Sequence, residues 1–294
     1  MPEPASAAVH LIVFSKDRPL QLHGMLTSVF RHWRGAYRVT VLARTEGPYF
    51  SAYEDVWREF RDRDVVLLTE TDFPEDLSAA LAMNGETTPY ACFGCDDVVY
   101  TLALDVSRVA DTLRVNHGLL GYSLRLGLHT QADMFGREMP RPAGAFSPLS
   151  EHGGGVWDVA GPGATGDWAY PWEVLGTVYR WGFVRRLVSL LARDNQAGNP
   201  SLLEHNGAQR WREAADGRSL LACGATARLV VPTVNVVQSV FGNGTVGPGV
   251  SPEFLLNCWN HGLRLDVERY RGMAPPSWRI GDLYLRSGGE GAAA

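Results

Sequence analysis

The stretch HLIVFSKDRPLQLHGMLTSVF, residues 10–30, decides the fold. Its first five residues, His10 to Phe14, form a short apolar run with the composition of a buried strand. Polar residues Ser15 to Arg18 follow. Pro19 suits the first turn of a helix in which apolar residues recur every three or four positions. The stretch therefore predicts a strand, a polar loop and a helix.

The same order repeats along the first hundred residues. Because short apolar runs alternate with amphipathic segments, the chain predicts an α/β fold with a mixed, mostly parallel sheet flanked by helices. The predicted strands cover residues 10–14, 39–43, 65–68 and 90–94, and the predicted helices cover residues 19–33, 50–60 and 76–83.

The periodic pattern weakens after residue 105. Residues 128–170 are rich in glycine and proline, with the highest flexibility expected at 153–155 and 161–166, and such a long irregular segment predicts a binding loop or lid. The C-terminal portion is predicted to be largely helical. Predicted helices cover residues 106–115, 171–179, 183–192 and 200–214 and the stretch between Ser251 and Gly262, and predicted strands cover residues 119–126 and 228–231.

Composition and charge exclude several classes of protein. With 294 residues, 45% of them hydrophobic, the chain can bury a large core, and its net charge of -5 argues against a nucleic-acid partner. We expect no transmembrane segment, because no apolar run approaches the length of a membrane span. The first residues lack the basic region of a secretory signal, and four cysteines are too few for a disulfide scaffold, so we expect a cytoplasmic protein.

Polar side chains follow each of the four N-terminal strands. In an open parallel sheet, ligands bind beyond the carboxyl ends of the strands, so we expect these side chains to line one crevice. The first loop opens a helix and favours an anion there, although an ordinary solvated turn explains the same residues. The side chains are those of Ser15, Lys16, Asp17, Arg18, Arg44, Thr45, Glu46, Glu70, Asp72, Asp96 and Asp97.

Asp96 and Asp97 are the strongest chemical signal in the sequence. Adjacent carboxylates repel each other, and a position directly after a buried strand raises that cost unless they share a cation. Mg²⁺ and Mn²⁺ accept carboxylate oxygens and complete their shell with phosphate and water, so the pair suits a metal-bound nucleoside diphosphate. The alternative is that Asp97 caps the next segment while Asp96 faces solvent.

A second pair of carboxylates, Asp167 and Glu173, lies among aromatic residues at the end of the long irregular segment. Aromatic rings beside carboxylates are a common arrangement for holding a sugar. The alternative is that Trp168 and Trp172 only anchor the loop to the core. Either carboxylate can serve as the base for an acceptor hydroxyl, and the sequence does not choose between them.

Several segments match one known family in order and spacing. They are LIVFSKDRPLQLHGMLTSV (11–29), CFGCDDVVY (92–100), GYSLRLG (121–127), DWAYPWEVLGTVYR (167–180) and, more loosely, PTVNVVQ (232–238) and LLNCWNHG (255–262). Together they resemble bacterial glycosyltransferases with the Rossmann-like GT-A fold, close to glycosyltransferase family 2. The resemblance covers most of the chain and is strongest in the first 125 residues.

This resemblance implies a single GT-A-like domain over residues 1–294. Residues 8–125 would form the half that binds the nucleotide sugar, residues 126–286 the acceptor-side half, and residues 287–294 a disordered tail. It also implies transfer of a sugar from a UDP- or GDP-type donor to the hydroxyl of a small molecule or glycan. The transfer would be assisted by Mg²⁺ or Mn²⁺ and would invert the anomeric centre.

Site residues follow from the same resemblance, position by position. Cys95, Asp96 and Asp97 occupy the place of the family's metal-binding DxD element, which implies Asp97 as the direct metal ligand and Asp96 as a further ligand or a contact to the donor. Asp167 and Glu173 are the implied catalytic carboxylates. The implied nucleotide pocket comprises Phe14, Ser15, Lys16, Asp17, Arg18, Arg44, Asp72 and Asp96.

The chain departs from the family pattern in two places. Cys95 stands where an acid is often found, and Val174 to Thr177 replace an Asp followed by Gly and His. Metal dependence and the identity of the base are therefore open. Two other functions compete: a sugar nucleotidyltransferase, which usually has a Gly-rich basic loop after its first strand, and a catalytically silent nucleotide-binding relative. The loop after the first strand has no glycine, which disfavours the former.

Overall fold

The computed structural model describes residues 7–83, 88–142, 146–149, 153–238, 240–242, 244–247 and 249–288. Its helices are α1 (Pro19–His32), α2 (Phe50–Phe60), α3 (Phe73–Ala82), α4 (Val106–Val115), α5 (Trp181–Arg193), α6 (Pro200–Ala214) and α7 (Pro252–Asn260). Its strands are β1 (Val9–Lys16), β2 (Trp33–Arg34), β3 (Tyr37–Arg44), β4 (Val65–Thr69), β5 (Tyr90–Cys95), β6 (Val99–Tyr100), β7 (Leu104–Asp105), β8 (Leu119–Gly127), β9 (Ser147–Leu149), β10 (Gly154–Asp158), β11 (Thr177–Arg180), β12 (Leu220–Gly224), β13 (Leu229–Pro232), β14 (Leu263–Leu265), β15 (Arg279–Ile280) and β16 (Leu285–Ser287).

A nine-stranded sheet has the order β4-β3-β1-β5-β11-β8-β12-β10-β9. The strands β4, β3, β1 and β5 pair in parallel, and so do β8 and β12. The strands β11 and β10 run antiparallel to both of their neighbours. The prediction of a mixed, mostly parallel sheet flanked by helices is therefore confirmed, and both predicted halves of the chain contribute strands to this one sheet.

Strand β1 is the centre of the N-terminal half. It pairs with β3 on one side and with β5 on the other, and its residues from Val9 to Ser15 are all buried. Its apolar run does not alternate with polar residues because helices cover both faces of such a strand. Its one buried imidazole is satisfied, since His10 Nε2 lies 2.8 Å from Thr40 Oγ1. The four predicted N-terminal strands and the helices between them are confirmed, with boundaries shifted by a few residues.

The predicted helix over residues 171–179 is wrong. Residues 171–176 have no regular secondary structure, and β11 (Thr177–Arg180) follows as an antiparallel strand between β5 and β8. The aromatic and apolar spacing resembled a helix, but Val178 and Tyr179 have the β-branched and aromatic side chains that suit a strand. Pairing on both edges of β11 outweighs the local pattern.

The predicted lid over residues 128–170 is only partly irregular. It contains β9 and β10, which extend the central sheet, so the flexibility predicted for Gly154 and Gly155 is wrong. A Cβ atom on Gly154 would lie 1.9 Å from the carbonyl oxygen of Cys223, so the close approach of β10 to β12 requires a glycine there. Residues 143–145 and 150–152 lie outside the described residues. Strand β12 itself was not predicted.

The C-terminal portion combines predicted helices with short strands. The helices α5, α6 and α7 are present as predicted, and the predicted strand at 228–231 appears as β13. Ser287 belongs to β16, so the predicted disordered tail does not begin there, and residues 289–294 lie outside the described residues. Among the described residues, no helix combines the length and apolar composition needed to cross a membrane.

Helix α6 packs closely on one tryptophan, which provides a test of the fold. A Cβ atom on Gly207 would lie 2.4 Å from Nε1 of Trp172, whose indole is buried and donates to the carbonyl oxygen of Leu203. We expect Gly207→Ala to lower the free energy of unfolding by about 1–3 kcal/mol, as overpacking does. In Gly182→Ala the nearest atom is the side-chain Nη1 of Arg186 at 3.7 Å, so that control should be neutral or stabilising by up to about 1 kcal/mol. Chemical denaturation measures both, and equal stabilities would contradict this packing.

Candidate functional site

The candidate site lies at the carboxyl ends of β1 and β5. The first connections along the chain lead from β1 to β3 and β4 on one side, and the fourth parallel strand, β5, lies on the other side. This reversal of strand order is where open α/β sheets bind ligands. Phe14 pairs with Cys95, and the backbone N–H of Asp96 donates to the carbonyl oxygen of Phe14 at 3.0 Å. The β1–α1 loop and the aspartate pair therefore meet at one edge of the sheet.

Asp17 shapes the β1–α1 loop. Its φ of 52° lies in the left-handed region, which Asp tolerates better than most residues. Its N–H donates to the carbonyl oxygen of Arg44 at 3.2 Å, and its Oδ1 accepts from the N–H of Glu46 at 2.9 Å. Burial raises the pKa of Asp17. These contacts make Asp17 a connector between the ends of β1 and β3.

Asp96 is the most enclosed carboxylate of the site, with 3% of its surface exposed. Its Oδ2 accepts from the hydroxyl of Ser15 at 2.9 Å and from the N–H of Lys16 at 3.2 Å. Its Oδ1 accepts from Nη1 of Arg18 at 3.0 Å. Burial raises the pKa of Asp96 to about 6, against the opposing attraction of Arg18. Both of its oxygens are therefore engaged.

Arg18 supplies positive charge to both adjacent carboxylates. The same Nη1 lies 3.0 Å from Oδ2 of Asp97, and Nη2 donates to the carbonyl oxygen of Asn235 at 2.6 Å. The sequence indicated a cation shared by Asp96 and Asp97, and the guanidinium of Arg18 occupies that role in this structure. Arg18 thereby joins the start of helix α1 to the end of strand β5 and to the segment after β13.

Tyr53 of α2 completes this donor-side cluster. Its hydroxyl lies 2.5 Å from Oγ of Ser15 and accepts from the N–H of Arg18 at 3.1 Å. Burial raises the pKa of Tyr53, so it stays a neutral hydroxyl. We use the name donor-side cluster for Ser15, Arg18, Tyr53, Asp96 and Asp97.

Other residues predicted for the nucleotide pocket lie around this cluster. Phe14 is buried and its ring packs against Phe73 and Phe93, so its side chain belongs to the core. Asp72 accepts from the N–H of Glu75 at 3.1 Å and caps α3.

The remaining predicted side chains, Lys16 and Arg44, are exposed. The Lys16 side chain is 41% exposed, and its Nζ lies 4.0 Å from Glu46. The Arg44 side chain pairs with Glu46 at 3.3 Å and with Glu70 at 4.0 Å. Both stand at the carboxyl ends of β1 and β3, beside the donor-side cluster rather than within it.

Arg125, near the end of β8, organises a second cluster. Its Nη1 donates to Oδ1 of Asp167 at 3.0 Å, and its Nε lies 4.0 Å from Oε2 of Glu173. The indole N–H of Trp278 donates to the other oxygen of Asp167 at 2.9 Å. Oε2 of Glu173 accepts from the N–H of Leu175. The structure thus brings the two predicted catalytic carboxylates together around one buried arginine.

Glu204 of α6 is a third acid beside this second cluster, and it was not predicted from the sequence. Burial raises the pKa of Glu204 to about 8, with a further contribution from the charge of Glu173 and against the attraction of Arg125. In the sequence it is an ordinary acidic residue of a helix. Arg125 had a detectable signal, since a charged residue inside a predicted buried strand requires partners. We use the name acceptor-side cluster for Arg125, Asp167, Glu173 and Glu204.

Two features connect the clusters. Cys95 precedes Asp96 in the chain, and its Sγ lies 3.9 Å from the carbonyl oxygen of Val174, the residue after Glu173. On the other side, Trp278 contacts Asp167, and its neighbour Arg279 interacts electrostatically with Asp97. The two clusters therefore border one region of the sheet edge.

A divalent metal ion at this edge could bind Asp97, whose Oδ1 accepts no hydrogen bond from the residues that the structure describes. Asp97 uses Oδ2 for Arg18, and its side chain is 13% exposed, whereas both oxygens of Asp96 are engaged. Among the described residues there is no group of three or more His, Cys, Asp or Glu side chains that could hold a metal ion. Mg²⁺ and Mn²⁺ commonly bind through one carboxylate together with phosphate and water. The donor set fits an ion shared between Asp97 and a diphosphate.

A curated protein is similar to almost the whole chain. The chain is 22% identical to the bifunctional glycosyltransferase pgtA of Dictyostelium discoideum over 308 residues, which is 94% of this chain and 39% of the relative. The chain thus spans about two fifths of that relative's length. This similarity confirms the resemblance to glycosyltransferases noted in the sequence. No protein-family model matches the chain.

Two solved structures are more distant. The crystal structure of S. aureus TarS matches with a TM-score of 0.47 and 14% identity, covering 75% of this chain and 36% of TarS. The mannosyltransferase PcManGT from Pyrobaculum calidifontis, in complex with GDP-Man and Mn2+, matches with a TM-score of 0.36 and 12% identity, covering 64% of this chain and 48% of PcManGT. At these TM-scores neither structure defines a ligand for this chain.

The Arg18 bridge makes a stability prediction. Replacing Arg18 by Met leaves Asp96 buried without its cation, so we expect Arg18→Met to lower the free energy of unfolding by about 3–5 kcal/mol at neutral pH. The double variant with Asp96→Asn should recover part of that loss, because the buried charge is then removed. Chemical denaturation provides the measurement.

Arg58→Met is the control for this prediction. Arg58 pairs with Asp55 at 2.6 Å, but both side chains are more than half exposed, so the expected loss is below about 1 kcal/mol. If Arg18→Met cost no more than Arg58→Met, the bridge would not carry the stability assigned to it.

Proposed function

We propose that this chain is a glycosyltransferase that moves a sugar from a nucleoside diphosphate sugar to an acceptor hydroxyl. The observation that carries the proposal is the meeting of the donor-side and acceptor-side clusters at one edge of the sheet, at the point where strand order reverses. The donor-side cluster offers Asp97, which can coordinate a metal ion through Oδ1. The acceptor-side cluster offers carboxylates for proton transfer. The similarity to pgtA supports the same activity.

The donor diphosphate would bind against the β1–α1 loop. Lys16 is exposed there, and Arg279 is held near Asp97 by bonds to the hydroxyl of Thr233 at 3.2 Å and to the carbonyl oxygen of Met134 at 3.2 Å. These two cations can stabilise the negative charge that develops as the diphosphate leaves. Asp97 would hold the Mg²⁺ or Mn²⁺ ion, which when bound neutralises further charge on the diphosphate.

The acceptor would lie against the acceptor-side cluster. A carboxylate of this cluster, which includes the predicted candidates Asp167 and Glu173, takes the proton of the acceptor hydroxyl as that oxygen attacks the sugar. One such attack, without a covalent intermediate, inverts the anomeric centre. NMR of the product linkage checks this: an inverted configuration is expected, and a retained one would contradict the single displacement.

We propose a UDP- or GDP-type donor, and a small molecule or glycan as acceptor.

We also propose a reducing compartment, such as the cytoplasm, for this protein. The structure supports it because all four cysteines are free thiols, namely Cys92, Cys95, Cys223 and Cys258.

Thermal shifts with a panel of UDP- and GDP-linked sugars, with and without Mn²⁺, test donor binding. A donor at 100 times its Kd stabilises the fold by about 2.7 kcal/mol, so a rise in Tm is expected for the right nucleotide sugar. Asp97→Asn should lose the Mn²⁺-dependent part of that rise while the protein stays folded. Asp55→Asn, which removes an exposed ion-pair partner on α2, should keep it.

Turnover separates the competing functions. Release of nucleoside diphosphate from the stabilising donor is expected of a glycosyltransferase. Release of pyrophosphate from a nucleoside triphosphate and a sugar phosphate would instead show a nucleotidyltransferase. Stabilisation by a nucleotide without any turnover would show a silent binding protein. A Mn²⁺-dependent shift that persists in Asp97→Asn would remove Asp97 from the metal site.

A further inference from the structure

A cleft of about 450 Å³ opens between Pro276 and the loop of residues 130–141, which connects β8 to β9. Its volume falls within the range of small-molecule sites, about 300–1,000 Å³. Lys16, Asp97 and Arg279, proposed above to bind the donor, do not line it. We use the name loop cleft for this space. Its lining includes Gln131, Glu138, Met139, Pro140, Arg141 and Pro276.

The loop cleft shares a wall with the acceptor-side cluster. Sδ of Met139, a lining residue, accepts from the N–H of Asp167 at 3.1 Å. A Cβ atom on Gly166 would lie 2.8 Å from the same sulfur, so the turn that carries Asp167 packs directly on the loop. Pro276, also in the lining, stands two residues before Trp278, whose indole N–H donates to Oδ2 of Asp167 at 2.9 Å. A molecule in the cleft would therefore adjoin the proposed acceptor site.

Backbone hydrogen bonds fix the shape of the loop cleft. The carbonyl oxygen of Pro276 accepts from the N–H groups of Gln131 at 2.9 Å and Ala132 at 3.0 Å. The two arms of the loop are joined as well, since the N–H of Met139 donates to the carbonyl oxygen of Gln131 at 2.7 Å. Because both walls are already tied together, a ligand that enters the cleft does not have to order them.

The lining combines polar and apolar groups. Its polar side chains include an amide, a carboxylate and a guanidinium, so hydrogen-bond donors and acceptors are both present. These side chains belong to Gln131, Glu138 and Arg141, and all three residues are exposed. Among the described residues, neither charged side chain has an ion-pair partner. One methionine and two prolines add apolar surface.

This combination suits a neutral sugar. A sugar ring carries hydroxyls that both donate and accept hydrogen bonds, and it has a C–H face that packs on apolar side chains. Glu138 and Arg141 have opposite charges, so the lining does not favour an anion. A phosphate or an acidic sugar would need an excess of positive charge instead.

We propose that the loop cleft binds a neutral sugar unit of the acceptor, next to the unit that carries the reacting hydroxyl. This inference rests on the sugar transfer proposed above. The reacting hydroxyl lies at the acceptor-side cluster, while the adjoining sugar packs on Met139 and Pro276 and forms hydrogen bonds with Glu138 and Arg141. The cleft thereby selects a glycan over a small hydroxyl compound as acceptor.

The first measurement is glycan binding without turnover. Saturation-transfer NMR titrations in the presence of Mn²⁺ and of UDP or GDP use neutral di- and trisaccharides that end in glucose, galactose, mannose, fucose or N-acetylglucosamine. Wild type should bind at least one of them. The double variant Glu138→Ala/Arg141→Ala should stay folded, because both residues are exposed, and should bind that glycan roughly 10–100-fold more weakly.

A matched double variant, Glu54→Ala/Arg185→Ala, is the control. It also removes one exposed acid and one exposed arginine, but these lie on α2 and α5 and do not line the cleft. Its affinity for the glycan should equal that of wild type.

The second measurement is transfer, using the nucleotide sugar that gives the largest thermal shift. The acceptors are the glycan that binds and the methyl glycoside of its terminal sugar. Wild type should show the higher kcat/KM with the glycan. In Glu138→Ala/Arg141→Ala the KM for the glycan should rise roughly 10–100-fold with little change in kcat, because binding common to the ground state and the transition state is lost. Activity on the methyl glycoside and the donor-induced thermal shift should both match wild type.

The possible failures are distinguishable. A wild-type protein that binds none of the glycans, or a Glu138→Ala/Arg141→Ala variant within about threefold of wild type, would overturn the assignment of the cleft alone. Binding of acidic saccharides only, or loss of the donor-induced thermal shift in this variant, would overturn it too. Glycan binding that depends on Glu138 and Arg141, without transfer from any nucleotide sugar, would contradict the proposed function and leave the loop cleft as a sugar-binding site.

Discussion

The burial of Asp96 under the guanidinium of Arg18 is the interaction on which the site depends. A carboxylate this enclosed is tolerated only when its oxygens are bonded and its charge is matched. The hydroxyl of Ser15 and the N–H of Lys16, at the end of β1, and the guanidinium of Arg18, just before α1, meet that requirement. The end of β5 is thereby locked to the end of β1, and the reversal of strand order becomes a rigid site.

Arg18 also determines which oxygen of Asp97 is available to a ligand. It pairs with one oxygen of Asp97 and reaches the backbone of Asn235 on the far side, so the segment after β13 is held over the same edge. Asp97 keeps one oxygen that accepts no described hydrogen bond. The ion pairs of Arg18 with Asp96 and Asp97 are therefore in place before an anionic ligand and its metal ion bind.

The antiparallel strand β11 determines how the two clusters face each other. It lies between β5, which ends in the aspartate pair, and β8, which carries Arg125. Its preceding loop returns Asp167 and Glu173 to the carboxyl edge of the sheet, where Arg125 collects them. Two acidic clusters thus lie at the same edge of the sheet. In one, the guanidinium of Arg18 bridges two carboxylates, and in the other Arg125 pairs with Asp167 and lies near Glu173.

Much of the N-terminal half was predictable because local patterns there agree with the final packing. The apolar run of β1, the proline at the start of α1 and the alternation of strands with helices each indicate the observed structure, and the positions of Ser15, Arg18, Asp96 and Asp97 at one edge follow from the parallel sheet. Residues 171–180 were predicted wrongly, because an isolated antiparallel strand is selected by its two neighbours and not by its own periodicity.

The sequence by itself determined the α/β class, the parallel core and the acidic edge, since these arise from periodicity and from residues close together in the chain. Only the tertiary structure decided that Arg18 bridges the aspartate pair, that Arg125 gathers Asp167 and Glu173, and that Glu204 joins them from α6. The physical reason is that charge pairing and burial depend on distances across the fold, and Arg18 and Asp97, 79 positions apart in the chain, meet in one of these contacts.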